Sequence, residues 1–344
     1  MDKIKSDIRE LSFEELVSYL NEIGEPAYRA NQIFEWLYQK GASRFNQMTN
    51  LSQALRDRLA SDLLFSEAVV AHEDVSNDQT RKVLFELQDK ERVETVLIPT
   101  KTRATVCVST QAGCKFGCRF CASGIGGWNR NLTAAEILNQ ILYMKKAASV
   151  HPLSHLVFMG VGEPLDNYDN LIKAIRVINS KKGINIGARR ITISTCGVVP
   201  KIKKLAQEGL QIELAVSLHG SSNESRNVLM PVNKKYPVDE LIAACKEYGQ
   251  ATKRQITFEY ILIKGVTCTD QAAKELGHLL KGMLCKMNLI PYNPVSEFDH
   301  KTPTSEEMVS FRDRLEKLGI HATIRTPRGK DINSACGQLR HSVK

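Results

Sequence analysis

From residue 104 onward the sequence alternates between β-rich runs and amphipathic helical runs six times, and this order limits the fold more than any other feature. ATVCVST precedes TAAEILNQILYMKKA, HLVFMGV precedes NYDNLIKAIRVIN, and RITIST precedes VPKIKKLAQEG. QIELAVSLHG, QITFEYILI and KMNLIPYN each lead into another helical run, and HATIR forms a last strand. Strands joined by helix-length crossovers pair in parallel, and the crossovers turn right-handed. The chain is therefore α/β, with ligands expected beyond the carboxyl ends of its strands. A partial barrel and a doubly wound open sheet both satisfy this string.

The preceding residues have a different period. SFEELVSYLNEIG places Phe13, Leu16, Val17 and Leu20 on one helical face and stops at Gly24. YRANQIFEWLYQKG groups Ile33, Phe34, Leu37 and Tyr38 and stops at Gly41. Residues 80 to 99 hold two β-rich runs, VLFEL and VETVLIP, split by polar QDKER, the pattern of a hairpin. The expected division is a helical accessory domain over 1–75, a linking β-hairpin over 76–100 and the strand–helix domain over 101–344.

The first twenty residues mix acids and bases through their apolar positions, and no long apolar run follows, so neither a secretory signal nor a membrane span is expected. The expectation is a cytoplasmic monomer. Nine cysteines, four of them between Cys107 and Cys121, are not laid out as an extracellular disulfide framework. A net charge of +9 favours a polyanionic partner. Residues 181–204 hold seven lysines and arginines and no acid, and with Lys234, Lys235 and the RTPRGK of 325–330 they suggest phosphate contacts on one face.

CKFGCRFC, residues 114–121, directly follows the first core strand. A loop there can fold three thiolates around one cluster, with Gly117 permitting the tight path. Three ligands on a four-iron cluster leave one iron open to a substrate. The alternative is zinc with Cys107 as fourth thiolate, although structural zinc sites normally come as two CxxC-like pairs. CxxxCxxC after such a strand resembles the radical S-adenosylmethionine (SAM) enzymes, whose fold is a partial (β/α)6 barrel. That resemblance implies a [4Fe–4S] cluster on Cys114, Cys118 and Cys121. It also implies a methionine-amino site at Gly162 and Glu163 in MGVGEP. Ser194, the Ser217–Leu218–His219 run and Asn293 become polar strand-end positions for ribose and adenine.

The order RVETVLIP, CVSTQAGCKFGCRFCASG, NRNLTAAEI, FMGVGEPLDN, STCGVVP, SLHG, MPVNKKYP, LIPYNP, ACGQL resembles, over nearly the whole chain, the radical SAM enzymes that methylate adenosine at C2. Those enzymes act on 23S ribosomal RNA at the peptidyl-transferase centre and on tRNA next to the anticodon. The sequence departs from the family pattern at Val161, Cys196 and Asn333 and in its short tail. The resemblance implies that Cys336 takes a methyl group from one of two SAM molecules used per turnover and carries it to the base. Cys107 then takes the C2 proton and closes a transient disulfide with Cys336, and Glu94 is a general base. A low-potential electron donor such as flavodoxin is implied as partner. Cys196, Cys245, Cys268 and Cys285 match no motif and read as packing residues. Related enzymes methylate C8 instead and commonly carry alanine where Pro164 stands; the GEPLDN here favours C2. A nonenzymatic RNA-binding module with a structural metal is the reading from a different class.

Overall fold

Seven strands, Ala104–Cys107, Leu153–Phe158, Ile191–Thr195, Glu213–Ser217, Ile256–Leu262, Cys285–Pro291 and Ala322–Ile324, lie parallel and side by side in chain order. A doubly wound sheet needs that order to reverse at a switch point, and here it never does. The sheet is therefore wound in one direction, the arrangement of a partial barrel. This is a computed structural model; it describes residues 5–339 apart from 67, 125, 149, 296 and 297.

Helices Ala134–Ala147, Tyr168–Asn179, Val199–Leu205, Val238–Thr252, Asp270–Leu279 and Ser305–Lys317 make the crossovers. Alternate strand residues such as Leu156, Phe158, Ile193, Leu214, Val216, Phe258 and Leu289 are fully buried in the main core with the helices. The residues between them face the barrel interior, so one pleat separates the structural face from the functional one. Register across strands sets interior neighbours: Cys107 beside Val157, Ser194 beside Ala215, Ser217 beside Glu259, and Glu259 beside Asn288.

At the N-terminus, Phe13–Glu22 starts on a capping box between Ser12 and Glu15, Tyr28–Phe34 runs on as a π-helical turn to Gln39, and Gln53–Asp62 follows. Leu16, Leu20, Ile33, Phe34, Leu37, Tyr38, Leu55 and Leu59 are buried. The helical stretch ends earlier than residue 75, because Val69–Val75 forms a strand. Its sequence, VVAHEDV, hides this: only the valines signal β structure, while the chain pairs them against Arg81–Glu86. That strand in turn pairs with Arg92–Pro99, and Arg92–Pro99 pairs antiparallel with the first core strand. The expected hairpin is thus part of a three-stranded wing on the barrel sheet.

Two local structures position the site. Gln111–Gly113 pairs with Trp128–Asn131 in a ribbon that pinches the base of the cysteine loop, where Cys114 N–H donates to Gly127 O at 2.8 Å. Gly113 sits at φ 80°, and a Cβ there would lie 2.0 Å from Gly127 O, so only glycine closes this ribbon. The C-terminal segment is fastened at two places. Asp331 accepts from Ser76 Oγ at 2.6 Å and Asn77 N–H at 3.2 Å, and Asp78 accepts from Gly329 N–H at 3.3 Å. Further on, Gly337 O accepts from Ala122 N–H at 2.7 Å and Leu339 O from Ser123 Oγ at 2.8 Å. The second fastening joins this segment directly to the cysteine loop.

Among the described residues no helix is long and apolar enough to cross a membrane.

Candidate active site

A cavity opens at the carboxyl ends of the strands. Cys114, Cys118, Cys121, Gly162, Glu163, Ser194, Ser217, His219 and Cys336 all contribute to its wall. Residues from five separate segments of the chain therefore meet there. Gly162 has φ 105°, and a Cβ would come within 2.6 Å of Gln111 Cβ, so its backbone can approach the cavity only as glycine. The next residue, Glu163, is 3% exposed; its carboxylate accepts Leu165 N–H at 2.9 Å and Cys196 N–H at 2.7 Å. Burial raises its pKa, and these backbone donors oppose that rise.

His219 adopts the left-handed region at φ 51°, which is strained for a residue with a Cβ. Its Nδ1 accepts Ile261 N–H at 3.0 Å, leaving Nε2 as the protonated nitrogen of the neutral ring. Burial and then the Arg226 charge push its pKa down to about 3, so the ring is neutral at physiological pH. It is held edge-to-face with Phe120 of the cysteine loop at 4.7 Å. Leu218 and Asn293 lie off the cavity wall. Leu218 is buried in the core and contributes backbone only, while Asn293 Nδ2 donates to the Cys336 carbonyl at 3.1 Å.

The thiols occupy two settings. Desolvation pushes Cys114 up to about 12 and raises Cys118 strongly, and the neighbouring cysteine charges add to both. Cys336 is exposed to the cavity yet crowded by protein; desolvation raises its pKa, Arg325 lowers it, and Glu259 and Cys121 raise it. Cys107 is buried with Val96, Val161 and Leu339, and desolvation followed by the Cys336 charge pushes it up to about 12. Through Leu339 its cluster includes the C-terminal segment that carries Cys336. Glu94 is 4% exposed on the wing strand Arg92–Pro99, with Lys82 Nζ at 3.4 Å from its carboxylate. It lies two residues from Val96, the cross-strand partner of Cys107, and therefore shares a face with that cysteine.

Residues 108–276 match the family model of the Radical SAM superfamily, and residues 6–64 match that of the Ribosomal RNA large subunit methyltransferase N-terminal domain. The chain is 46% identical over 337 residues to a probable dual-specificity RNA methyltransferase RlmN of Clostridium perfringens, covering 98% of this chain and 97% of that protein. It is likewise 46% identical to the protein of that description in Staphylococcus aureus, covering 98% and 93%. The crystal structure of a radical SAM methyltransferase from Sphaerobacter thermophilus superposes with a TM-score of 0.94 at 44% identity, covering 98% of this chain and all of that one. The chain belongs to the RlmN family of radical SAM enzymes.

The donor set of this RlmN-family protein fits the cluster that the family implies. Cys114, Cys118 and Cys121 come from one short loop and all line the one cavity. Three thiols that each take a different iron stand further apart than the ligands of a single ion. Sequence reasoning missed the roles of several residues at the wall or close behind it. Cys196, read as packing, lines the cavity. Arg226 is completely buried and donates to Leu218 O at 3.1 Å, Cys196 O at 2.6 Å and Asn233 Oδ1 at 2.9 Å, tying the ends of two core strands together. Glu259 and Arg325 face the cavity from later strands. Charged residues default to surface in sequence, so only the period-2 placement of Glu259 between apolar positions of ITFEYIL could have marked it.

The basic stretch of the RlmN-family chain does not form one face. Arg189 and Arg190 precede the third core strand while Lys201, Lys203 and Lys204 follow it, so the strand carries the two groups to opposite ends of the barrel. Lys203 pairs with Glu247 at 3.0 Å, Lys204 lies 3.4 Å from Asp169, and Lys182 sits over the Phe13 ring. Lys234 and Lys235 are exposed near the mouth, where Arg119 N–H of the cysteine loop donates to Leu229 O at 3.0 Å.

Proposed function

We propose that the protein methylates C2 of adenosine in 23S rRNA and in tRNA. The observation that carries this reading is the placement of Cys336, which reaches the wall of the cavity that holds the three-cysteine loop, while Leu339 of the same segment packs with Cys107. The relatives named above are dual-specificity RNA methyltransferases, which supports RNA of two kinds as substrate.

When bound on Cys114, Cys118 and Cys121, a [4Fe–4S] cluster supplies one-electron cleavage of SAM and hence hydrogen-atom abstraction, with two SAM molecules consumed per turnover. Glu163 offers a desolvated carboxylate to the methionine ammonium group, and Ser194, Ser217 and the Nε2–H of His219 offer polar contacts around it. Cys336 attacks as thiolate, forming a carbon–sulfur bond and displacing the rest of the donor, so that the chain itself carries the methyl group. Desolvation raises the Cys336 pKa, and Arg325 opposes that rise in favour of the thiolate. After the carbon has joined C2, the RNA remains attached to Cys336, and the C2 proton must leave. Cys107 takes that proton, with Glu94 as general base in the same strand layer. Once the unpaired electron left by the addition has returned to the electron-transfer site, the Cys107 sulfur, as thiolate, bonds to the Cys336 sulfur; the carbon–sulfur electron pair passes to the carbon, which takes up a proton to complete the methyl group, and methylated RNA is released. A low-potential donor such as flavodoxin fits the electron requirement, and the disulfide is reopened by thiol exchange.

Nucleoside analysis of rRNA and tRNA from cells with and without the protein tests this reading. 2-Methyladenosine should disappear from both RNAs; its persistence, or loss of the 8-methyl isomer instead, would overturn the assignment.

A further inference from the structure

We infer that Glu259 is a positioning residue of the cofactor site, a hydrogen-bond acceptor for the ribose diol of SAM, set beside Ser217 and Arg325. The inference rests on the proposed use of SAM in this cavity and adds a contact that no sequence motif supplied. Glu259 is 3% exposed on the fifth core strand and faces the cavity. Its Oε1 accepts Asn288 Nδ2 at 2.8 Å and lies 3.7 Å from Arg325 Nη1. Its Oε2 is buried and has no hydrogen-bond partner among the described residues. A carboxylate oxygen kept from water without a donor is costly, so one on a residue that lines a ligand cavity calls for a donor that the ligand can bring.

The neighbours narrow that donor to a diol. Ser217 is the direct cross-strand partner of Glu259 and lines the same wall. The position of Arg325 is fixed by its backbone, whose N–H donates to Leu289 O at 2.9 Å on the adjoining strand. A carboxylate acceptor flanked by a hydroxyl and a guanidinium matches a group that both gives and takes hydrogen bonds at two adjacent oxygens. The vicinal diol of a free nucleoside is such a group. A nucleotide inside an RNA chain is not, because its 3′ oxygen is esterified. A merely structural ion pair with Arg325 would leave Oε2 idle and would not distinguish ribose from deoxyribose.

Binding of S-adenosylhomocysteine and of its 2′-deoxy and 3′-deoxy counterparts should be measured by calorimetry on the anaerobic holoenzyme. Wild type, Glu259→Gln, Glu259→Asp and Glu259→Ala are compared, with the cluster absorbance and melting temperature recorded alongside. The wild type should favour the intact ribose, and Glu259→Ala should bind it about tenfold to hundredfold more weakly, as expected for loss of a charge-assisted hydrogen bond. Glu259→Ala should also treat the three ligands alike to within about twofold. Discrimination between ribose and deoxyribose that survives in Glu259→Ala overturns the inference while leaving the methyltransferase reading intact. So does unchanged cofactor affinity accompanied by weaker RNA binding. Should the variants fail to fold, the wild type alone decides, because equal affinity for all three ligands excludes a diol contact. A wild type that binds none of them defeats the functional reading as well.

Discussion

Two groups of thiols serve this cavity, and the fold treats them differently. Cys114, Cys118 and Cys121 share one eight-residue loop whose base is closed by the Gln111–Gly113 and Trp128–Asn131 ribbon. Cys107 comes from the first core strand and Cys336 from the far end of the chain, and the barrel and two sets of hydrogen bonds bring that last segment back toward the strand, where Leu339 packs with Cys107. The trio is thus a local structure and the pair a tertiary one. Damage to the trio should remove chemistry altogether, whereas damage to the pair should stop the reaction at a definable stage.

The largest effect separates the groups. Cys118→Ala should lose most of its bound iron and sulfide and yield no deoxyadenosine, because a single loop offers no replacement thiol. Cys107→Ala and Cys336→Ala should keep a full cluster. Iron analysis of the three variants checks this, and full iron with normal SAM cleavage in Cys118→Ala would break the comparison.

Next in size is the division within the pair. Cys336→Ala should leave RNA unmodified, since no methyl carrier remains. Cys107→Ala should stall with RNA joined to Cys336 through one carbon, because the second sulfur needed for release is missing. Ribonuclease digestion followed by mass measurement of the Cys336 peptide shows which has occurred. Free product from Cys107→Ala would show that the two thiols do not act as a pair.

These differences also mark what could be read from the chain. The alternation after residue 104 gives the strands and helices, and the spacing of CKFGCRFC points to a cluster because both signals are local. Strand order was not legible in them, since alternation fits two windings. The strand Val69–Val75 escaped notice because its pairing partner, Arg81–Glu86, supplies the order that its own composition lacks. Arg226 and Glu259 escaped because a buried charge is recognisable only once the groups that satisfy it, or fail to, have been assembled. The pairing of Cys107 with Cys336 came from family resemblance alone, because the return of the last segment is a tertiary event. It depends on contacts such as Ser76 with Asp331 and Ser123 with Leu339, which link distant parts of the chain.

Gly162 tests the shared wall at a smaller scale. Gly162→Ala forces a Cβ against the Gln111 side chain and backbone from a positive φ, so we expect a loss of about 2–4 kcal/mol in stability, with weaker SAM binding. Thermal melting and calorimetry measure the two effects. A stable variant that binds normally would mean that the loop relaxes freely there.

The smallest effect concerns the clasp that returns the C-terminal segment to the wing. Although desolvation opposes it, hydrogen bonds from Thr80 and Gly329 hold the Asp78 carboxyl at about 2. Asp331 is lowered by Ser76 and then by the Asn77 N–H. Both groups have depressed folded-state pKa values, so their contribution is complete above the ordinary aspartate range and is lost as pH falls through the folded values. The clasp should therefore hold unchanged from pH 8 to about 5 and loosen only between about pH 4 and 2. Hydrogen exchange of residues 328–339 should rise over that acid window in the wild type, corrected for the intrinsic pH dependence of exchange. In Asp78→Asn combined with Asp331→Asn it should already be high at neutral pH. The trio should not notice, because its ribbon contains neither carboxylate. If the double variant also lost iron, the direct bonds from Ala122 and Ser123 to the C-terminal segment would have to transmit order in both directions, and the loop could no longer be regarded as an independent local structure.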